Sequence, residues 1–290
     1  MSLRNKLFLS LALAVFSSAL LSLQSHADAN DWPKPADPVK IVGPVYFVGT
    51  KGLCSWLITT PQGHILLNTG LPGSGPMIEA SIRKLGFNPK DIKILVASHA
   101  HLDHVGGFTY LKKISGAKME MMDRDVSVLE SGGKSDFFYG THKDMVFPSV
   151  KVDRALHDGD TIQLDNITLT AHLTAGHTQG TTTFTTTISD SGKSYVVVFP
   201  DGTSVNPGYQ LAKNPSYPGI ASDYRHTFEV LGSLHPDIWL APHVEAFDFW
   251  NKRARASTEG VKAWIDPDGY KRFVAGKRAD FEAELAKQSK

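Results

Sequence analysis

Ser98-His99-Ala100-His101-Leu102-Asp103-His104-Val105-Gly106-Gly107 carries four candidate metal ligands within six positions. It follows directly on Ile92–Ala97, an almost continuous apolar run of strand length. A run of that kind, without polar alternation, marks a strand buried on both faces. In an extended segment side-chain direction repeats every two residues, so His99 and His101 point the same way. As the chain turns into the helix predicted over 105–113, Asp103 and His104 aim at a second point nearby. One short loop thus has the means to serve two metal ions. Imidazole nitrogen suits zinc, and one carboxylate completes a mixed donor set without thiolate. Most histidines are merely packed or exposed, but a run that crowds protonatable rings together is costly to keep for structure alone.

Two further histidines have the setting such a centre needs. His177 lies in Thr174-Ala175-Gly176-His177-Thr178-Gln179-Gly180, after the strand expected over 168–173, where flanking glycines allow close backbone approach. His243 lies in Ala241-Pro242-His243, after the strand expected over 237–240. Both sit on loops just beyond strand ends, where ligands converge in α/β proteins. The other seven histidines (26, 64, 142, 157, 172, 226 and 235) lack that setting, and His172 alternates with apolar neighbours as a core residue does.

Around these loops strands alternate with helices. Strands are predicted over 40–48, 54–60 and 64–68, a helix over 75–85, and a strand–helix pair over 118–130. Residues 132–148, rich in Gly, Ser, Asp and aromatics without periodicity, read as a loop. Strands follow over 151–156, 161–164, 168–173, 181–188 and 194–199, then helices over 223–234, 247–256 and 270–287. No linker of domain-boundary composition interrupts residues 28–290, so the pattern predicts one α/β domain of two similar halves, two packed sheets covered by helices.

The N-terminus reads differently. Arg4 and Lys6 precede an apolar run from Leu7 to about Leu23, and Ser25-His26-Ala27 offers a small-x-small cleavage site. That is the layout of a secretory signal peptide over 1–27, which directs the expectation to the periplasm. The run is short for a spanning helix, and no later stretch is apolar enough to be one. A formal net charge of +1 without any block of like charge gives nothing for nucleic acid or an anionic membrane to bind. Cys54 is the only cysteine, so no disulfide forms within the chain and the core must hold it; in Leu53-Cys54-Ser55-Trp56 it reads as a small buried hydrophobe.

The loop at 99–104, Ala-Gly-His-Thr at 175–178 and Ala-Pro-His at 241–243 resemble the metallo-β-lactamase superfamily. Pro207-Gly208-Tyr209-Gln210-Leu211, Asn214-Pro215-Ser216-Tyr217-Pro218, Asp223-Tyr224-Arg225 and Ile265-Asp266-Pro267-Asp268-Gly269-Tyr270 resemble its third subclass of β-lactamases more closely. The resemblance covers essentially the whole chain after the signal and implies an αββα sandwich. It assigns His99, His101 and His177 to one zinc and Asp103, His104 and His243 to a second. It also implies hydrolysis of the β-lactam amide by a metal-bound hydroxide that Asp103 helps to orient, in a monomer whose partner is the small-molecule substrate. Thr203 and Ser204, beside the site, are the candidates to hydrogen-bond the substrate carboxylate. Two departures stand out. Gly202 replaces a serine that family members often carry after the residue matching Asp201, and the C-terminal disulfide of many members is impossible here.

Three other readings compete. Ser81-Ile82-Arg83-Lys84 and Ser131-Gly132-Gly133-Lys134 match the Ser-x-x-Lys pattern of serine β-lactamases, but Ser-Asp-Asn and Lys-Thr-Gly are absent. A zinc-storage protein has no reason for an open site on converging loops. A superfamily hydrolase of lactones or thioesters is the serious alternative, and it turns on Asp201. Such enzymes use a bridging aspartate after a late strand, whereas a β-lactamase needs Asp201 only as a support for a ligand histidine or a backbone amide.

Overall fold

The computed structural model describes residues 29–290, so the expected signal segment lies outside the described residues. Seven strands form the first sheet: β1 (Val39–Val42), β2 (Val45–Phe47), β3 (Trp56–Thr60), β4 (Gly63–Leu67), β5 (Ile92–Val96), β6 (Lys118–Met122) and β7 (Arg154–Leu156), in that order across it. The pairs from β1 to β4 are antiparallel, and those from β4 to β7 are parallel. The second sheet runs β12 (Ile238–Trp239), β11 (Lys193–Phe199), β10 (Thr182–Asp190), β9 (Ile167–Leu173), β8 (Thr161–Leu164).

Two apolar clusters make the layers. Alternation along the first sheet sends Trp56, Ile58, Ile65, Leu67, Ile94 and Val96 to the cluster shared with Leu169, Ala171, Phe184 and Phe199 of the second sheet. The intervening Leu57, Leu66 and Leu95 pack with Ile78 and Ile82 of helix α1 (Ser74–Lys84) and with residues farther along the chain. That β5 feeds both clusters accounts for its unbroken apolar sequence. Helices α5 (Ile220–Ser233) and α7 (Pro267–Gln288), with α6 (Phe249–Glu259) between them in the chain, contribute Tyr224, Phe228, Phe249, Phe281 and Leu285 to the larger cluster, with Cys54 buried in it as expected. The result is the αββα arrangement. No helix among the described residues is long and apolar enough to cross a membrane.

Several element boundaries differ from the sequence reading, each with a local cause. The single strand expected over 40–48 is two strands, because Gly43 takes a positive φ of 50° and Pro44 follows it, turning the chain back on itself. The helix expected over 105–113 is split by Gly106-Gly107 into α2 (Leu102–Val105) and α3 (Phe108–Ser115), so Asp103 and His104 lie on one short helical turn. Residues 132–148 follow α4 (Asp123–Ser131) and contain 3-10 turns at Tyr139–Thr141 and Lys143–Met145. The last helix starts three residues earlier than expected, where the Asp266 side chain accepts from Gly269 N at 2.9 Å and Pro267 occupies the first turn.

The sandwich brings the carboxyl ends of β5, β9, β11 and β12 to one rim. The β12 loop is fixed there by the segment ahead of β3: Cys54 N donates to Pro242 O at 2.7 Å, and Leu53 forms a bridge with His243.

Candidate metal centre

All six expected ligands meet at that rim. His99, His101 and His177 bring one nitrogen each within 4.8 Å of one another, and His99, Asp103 and His104 do the same with two nitrogens and a carboxylate oxygen. His243 joins the second group through Asp103, whose Oδ2 lies 3.3 Å from His243 Nε2 and 3.4 Å from His104 Nε2. His99 therefore borders both groups, and its ring sits 3.8 Å from that of His104 and 4.7 Å from those of His101 and His177.

Each histidine turns one nitrogen inward and the other toward a protein group, which for His99 and His177 is a hydrogen-bonded acceptor. His99 Nδ1 donates to Asp201 Oδ2 at 2.8 Å, and His177 Nδ1 donates to the carbonyl of Ser204 at 2.8 Å. His101 is reversed: Nε2 faces Asp136 Oδ2 at 3.5 Å, and Nδ1 faces His177 Nε2 at 3.1 Å. His104 Nδ1 meets Ser98 Oγ at 3.3 Å and Asn68 Nδ2 at 3.2 Å, and His243 Nδ1 lies 3.7 Å from Glu245. A histidine whose outer N–H is held this way presents a lone pair to a metal, which is how ligand histidines are oriented.

The electrostatics agree. Burial holds His99 well below the ordinary imidazole range and His177 down to about 4, so both are neutral donors. For His101 burial opposes the charge, but Asp136 outweighs it and the pKa lies above the ordinary value. Burial also opposes the charge of Asp103 and of Asp201, yet the neighbouring histidines hold both carboxyls below their usual range.

Zinc fits this donor set on two observations. His101 Nδ1 and His177 Nε2 converge at 3.1 Å, a spacing that suits two nitrogens on one tetrahedral zinc. His99 Nε2 is buried beside them with no hydrogen-bond partner, an orphan that a metal ion satisfies. The centre opens to a cleft of about 630 Å³, lined by all six ligands, by Trp32, Tyr139 and Met145, and by Lys277. Thr203 and Ser204, the expected substrate contacts, both line it, Thr203 buried and Ser204 exposed.

Asp201 stands behind His99. One carboxylate oxygen accepts the hydrogen bond from His99 Nδ1, and the other accepts from Gly202 N at 2.7 Å. Gly202 itself has a φ of 89°, and a Cβ there would lie 2.2 Å from Thr174 O. The backbone, not a missing contact, explains the departure from serine at this position. His172 is half-buried and bonds Thr185 Oγ1 at 2.9 Å, well apart from the centre in its role though less enclosed than its apolar neighbours led us to expect.

Sequence reasoning missed Asp125, Asp136 and the Ser204 carbonyl. Each acts through a contact between segments far apart in the chain, and an aspartate in a helix or a loop looks like any solvated one until the fold is known. The aromatic content of 132–148 was the available signal, since Tyr139 packs edge-on against His101 at 5.2 Å.

A family model described as the metallo-beta-lactamase superfamily matches residues 54–190. The FEZ-1 metallo-beta-lactamase of Legionella gormanii is 47% identical, with a TM-score of 0.87, over 89% of this chain and 98% of that one. The class B3 di-zinc metallo-beta-lactamase LRA-12, from an Alaskan soil metagenome, is 36% identical with a TM-score of 0.85, over 90% of this chain and 98% of its own. An N-acyl homoserine lactonase from Bacillus sp is 28% identical over 75 residues, only 18% of this chain and 30% of the lactonase.

Proposed function

Because the chain belongs to the metallo-β-lactamase superfamily, we propose that it is a two-zinc β-lactamase that hydrolyses the amide bond of β-lactam antibiotics. The observation that carries this reading is the placement of Asp201: its oxygens are engaged by His99 Nδ1 and Gly202 N, as expected of a support for a ligand histidine and not of a bridge between metals. A lactone or thioester hydrolase of the same fold needs a carboxylate in that bridging position.

His99, His101 and His177 hold the first zinc, and Asp103, His104 and His243 hold the second. Bound zinc supplies a water of lowered pKa, near ~7, and an electrophilic pull on the substrate carbonyl. Three protein ligands per ion leave room for water and substrate at each. Asp201 and the Ser204 carbonyl hold the outer N–H groups of His99 and His177, so these two rings keep their lone pairs inward, and the Asp136 carboxylate draws the outer side of His101 by charge. Asp103 is the only carboxylate among the six, and it orients the attacking water by accepting its proton in a hydrogen bond. Thr203 and Ser204 offer hydroxyls to the substrate carboxylate, and Lys277 is the one lysine or arginine on the cleft wall among the described residues. No side chain of the protein becomes acylated, because the nucleophile is water. Export to the periplasm is part of the same reading and rests on the signal-like layout of residues 1–27.

The purified protein is to be assayed against a carbapenem, a cephalosporin and an acyl-homoserine lactone, with and without a chelator. The reading expects β-lactam hydrolysis that chelation abolishes and zinc restores, with unmodified protein by mass spectrometry during turnover. Preference for the lactone, β-lactam hydrolysis by metal-free protein or a stable adduct on Ser81 or Ser131 would overturn it.

A further inference from the structure

The two loops that supply His99/His101 and His177 come from different sheets, and one buried side chain joins them. Asp125, in the first turn of α4, is fully buried. Its Oδ2 accepts from Ala100 N at 3.0 Å and from Thr178 Oγ1 at 2.7 Å, while Oδ1 accepts from Gly180 N at 2.7 Å. Ala100 lies between His99 and His101, and Thr178 follows His177 directly. The His177 loop is pressed onto this side chain: a Cβ on Gly180 would come within 2.6 Å of Asp125 N and 2.7 Å of its Cβ.

We propose that Asp125 is a positioning residue that sets the distance between the His99/His101 loop and the His177 loop, and thereby the zinc affinity of the first site. Its three donors are two backbone amides and a hydroxyl. A buried carboxylate is costly to desolvate, and these donors offset that cost only while both loops stay in place. A second tie, Thr182 N to Ser98 O at 2.7 Å, holds the loops at their outer ends. Loss of Asp125 therefore loosens the spacing of the ligands without separating the sheets. The inference rests on His99, His101 and His177 being the ligands of one zinc.

Two variants test it. In Asp125→Asn one terminal group becomes an amide donor, which must face either Gly180 N or the pair Ala100 N and Thr178 Oγ1. Thr178→Val removes one of the three bonds to Asp125, together with a bond to Thr181 Oγ1 at 2.7 Å, and leaves the carboxylate intact. Zinc dissociation constants are measured by competition with a chromophoric chelator, beside the ligand-field spectrum of the cobalt-substituted protein and the melting temperature in chelator. Asp125→Asn is expected to weaken the first site by about 10–100-fold, the range for groups that orient metal ligands, and to alter the cobalt spectrum. Thr178→Val is expected to weaken the first site by roughly three- to tenfold, in keeping with the loss of its bond to Asp125, with a smaller fall in melting temperature in chelator than Asp125→Asn shows. His177→Ala serves as reference for loss of a ligand. Wild-type zinc affinity in Thr178→Val, or in folded Asp125→Asn, with His177→Ala impaired, would overturn the inference alone. Wild-type affinity in His177→Ala would overturn the ligand assignment and the inference with it.

Discussion

The two halves of the metal centre are built to different standards. In the first, His99 and His101 have side-chain exposures of 1% and 5%, a carboxylate and a backbone carbonyl bond the outer nitrogens of His99 and His177, and Asp136 faces that of His101 at 3.5 Å. In the second, His104 is as enclosed at 3%, but Asp103 is 14% and His243 25% exposed, and the nearest anchor of His243 Nδ1 is Glu245 at 3.7 Å, beyond hydrogen-bond length. Its other wall is Trp32, from the N-terminal segment, with ring centroids 5.1 Å apart. Ligands held on both sides lose little freedom when a metal binds, whereas ligands free on one side must be ordered by the metal itself. The same six-residue loop feeds both halves, so the difference comes from the partners behind each ring.

The most severe way to test the contrast is to remove a ligand from each half. His177→Ala should empty the first site and lower turnover by orders of magnitude, since changes to ligand supports alone cost about 10–100-fold. His243→Ala should give one zinc per chain by elemental analysis with the first site intact. Loss of both zincs from either variant, or loss of zinc from the same site in both, would erase the distinction. Gradual chelation is the next test: zinc should leave in two steps, the first from Asp103, His104 and His243. That order is readable from a cobalt-substituted protein in which each variant identifies its own band.

A smaller effect is expected from the strand end that carries Asp201 and Ser204. Gly202→Ser restores the residue that relatives often have, but here it puts a Cβ against Thr174 O at a φ of 89°. The strain should cost about 1–3 kcal/mol of stability in denaturant melts. An unchanged melt would show that this backbone is free to move, and with it the support of His99 and His177.

The ligands of the centre were easier to read in sequence than their supports. Four donors within 99–104 announce themselves by density, and His177 and His243 by their place after apolar strands. Fold class followed from the same alternation, because β5 must satisfy an apolar cluster on each face. Asp125 and Asp136 gave no such signal. Their function lies in the distance between loops that are far apart in the chain, and a periodic pattern carries no information about that distance. The missed boundaries were of another kind. Gly43-Pro44, Gly106-Gly107 and the cap Asp266-Pro267 are local turn signals that the sequence does contain, and the longer apolar or helical pattern around each one masked it.

The smallest effect is also the most direct test, because β-lactam and lactone chemistry differ in where a carboxylate stands. Asparagine at position 201 keeps an oxygen that can accept from His99 Nδ1 but cannot supply a bridging charge. The account predicts that Asp201→Asn retains two zincs per chain by elemental analysis, loses about tenfold or less in β-lactam turnover, and still prefers β-lactams to an acyl-homoserine lactone. Loss of the second zinc with collapse of turnover would place Asp201 between the metals and contradict the account.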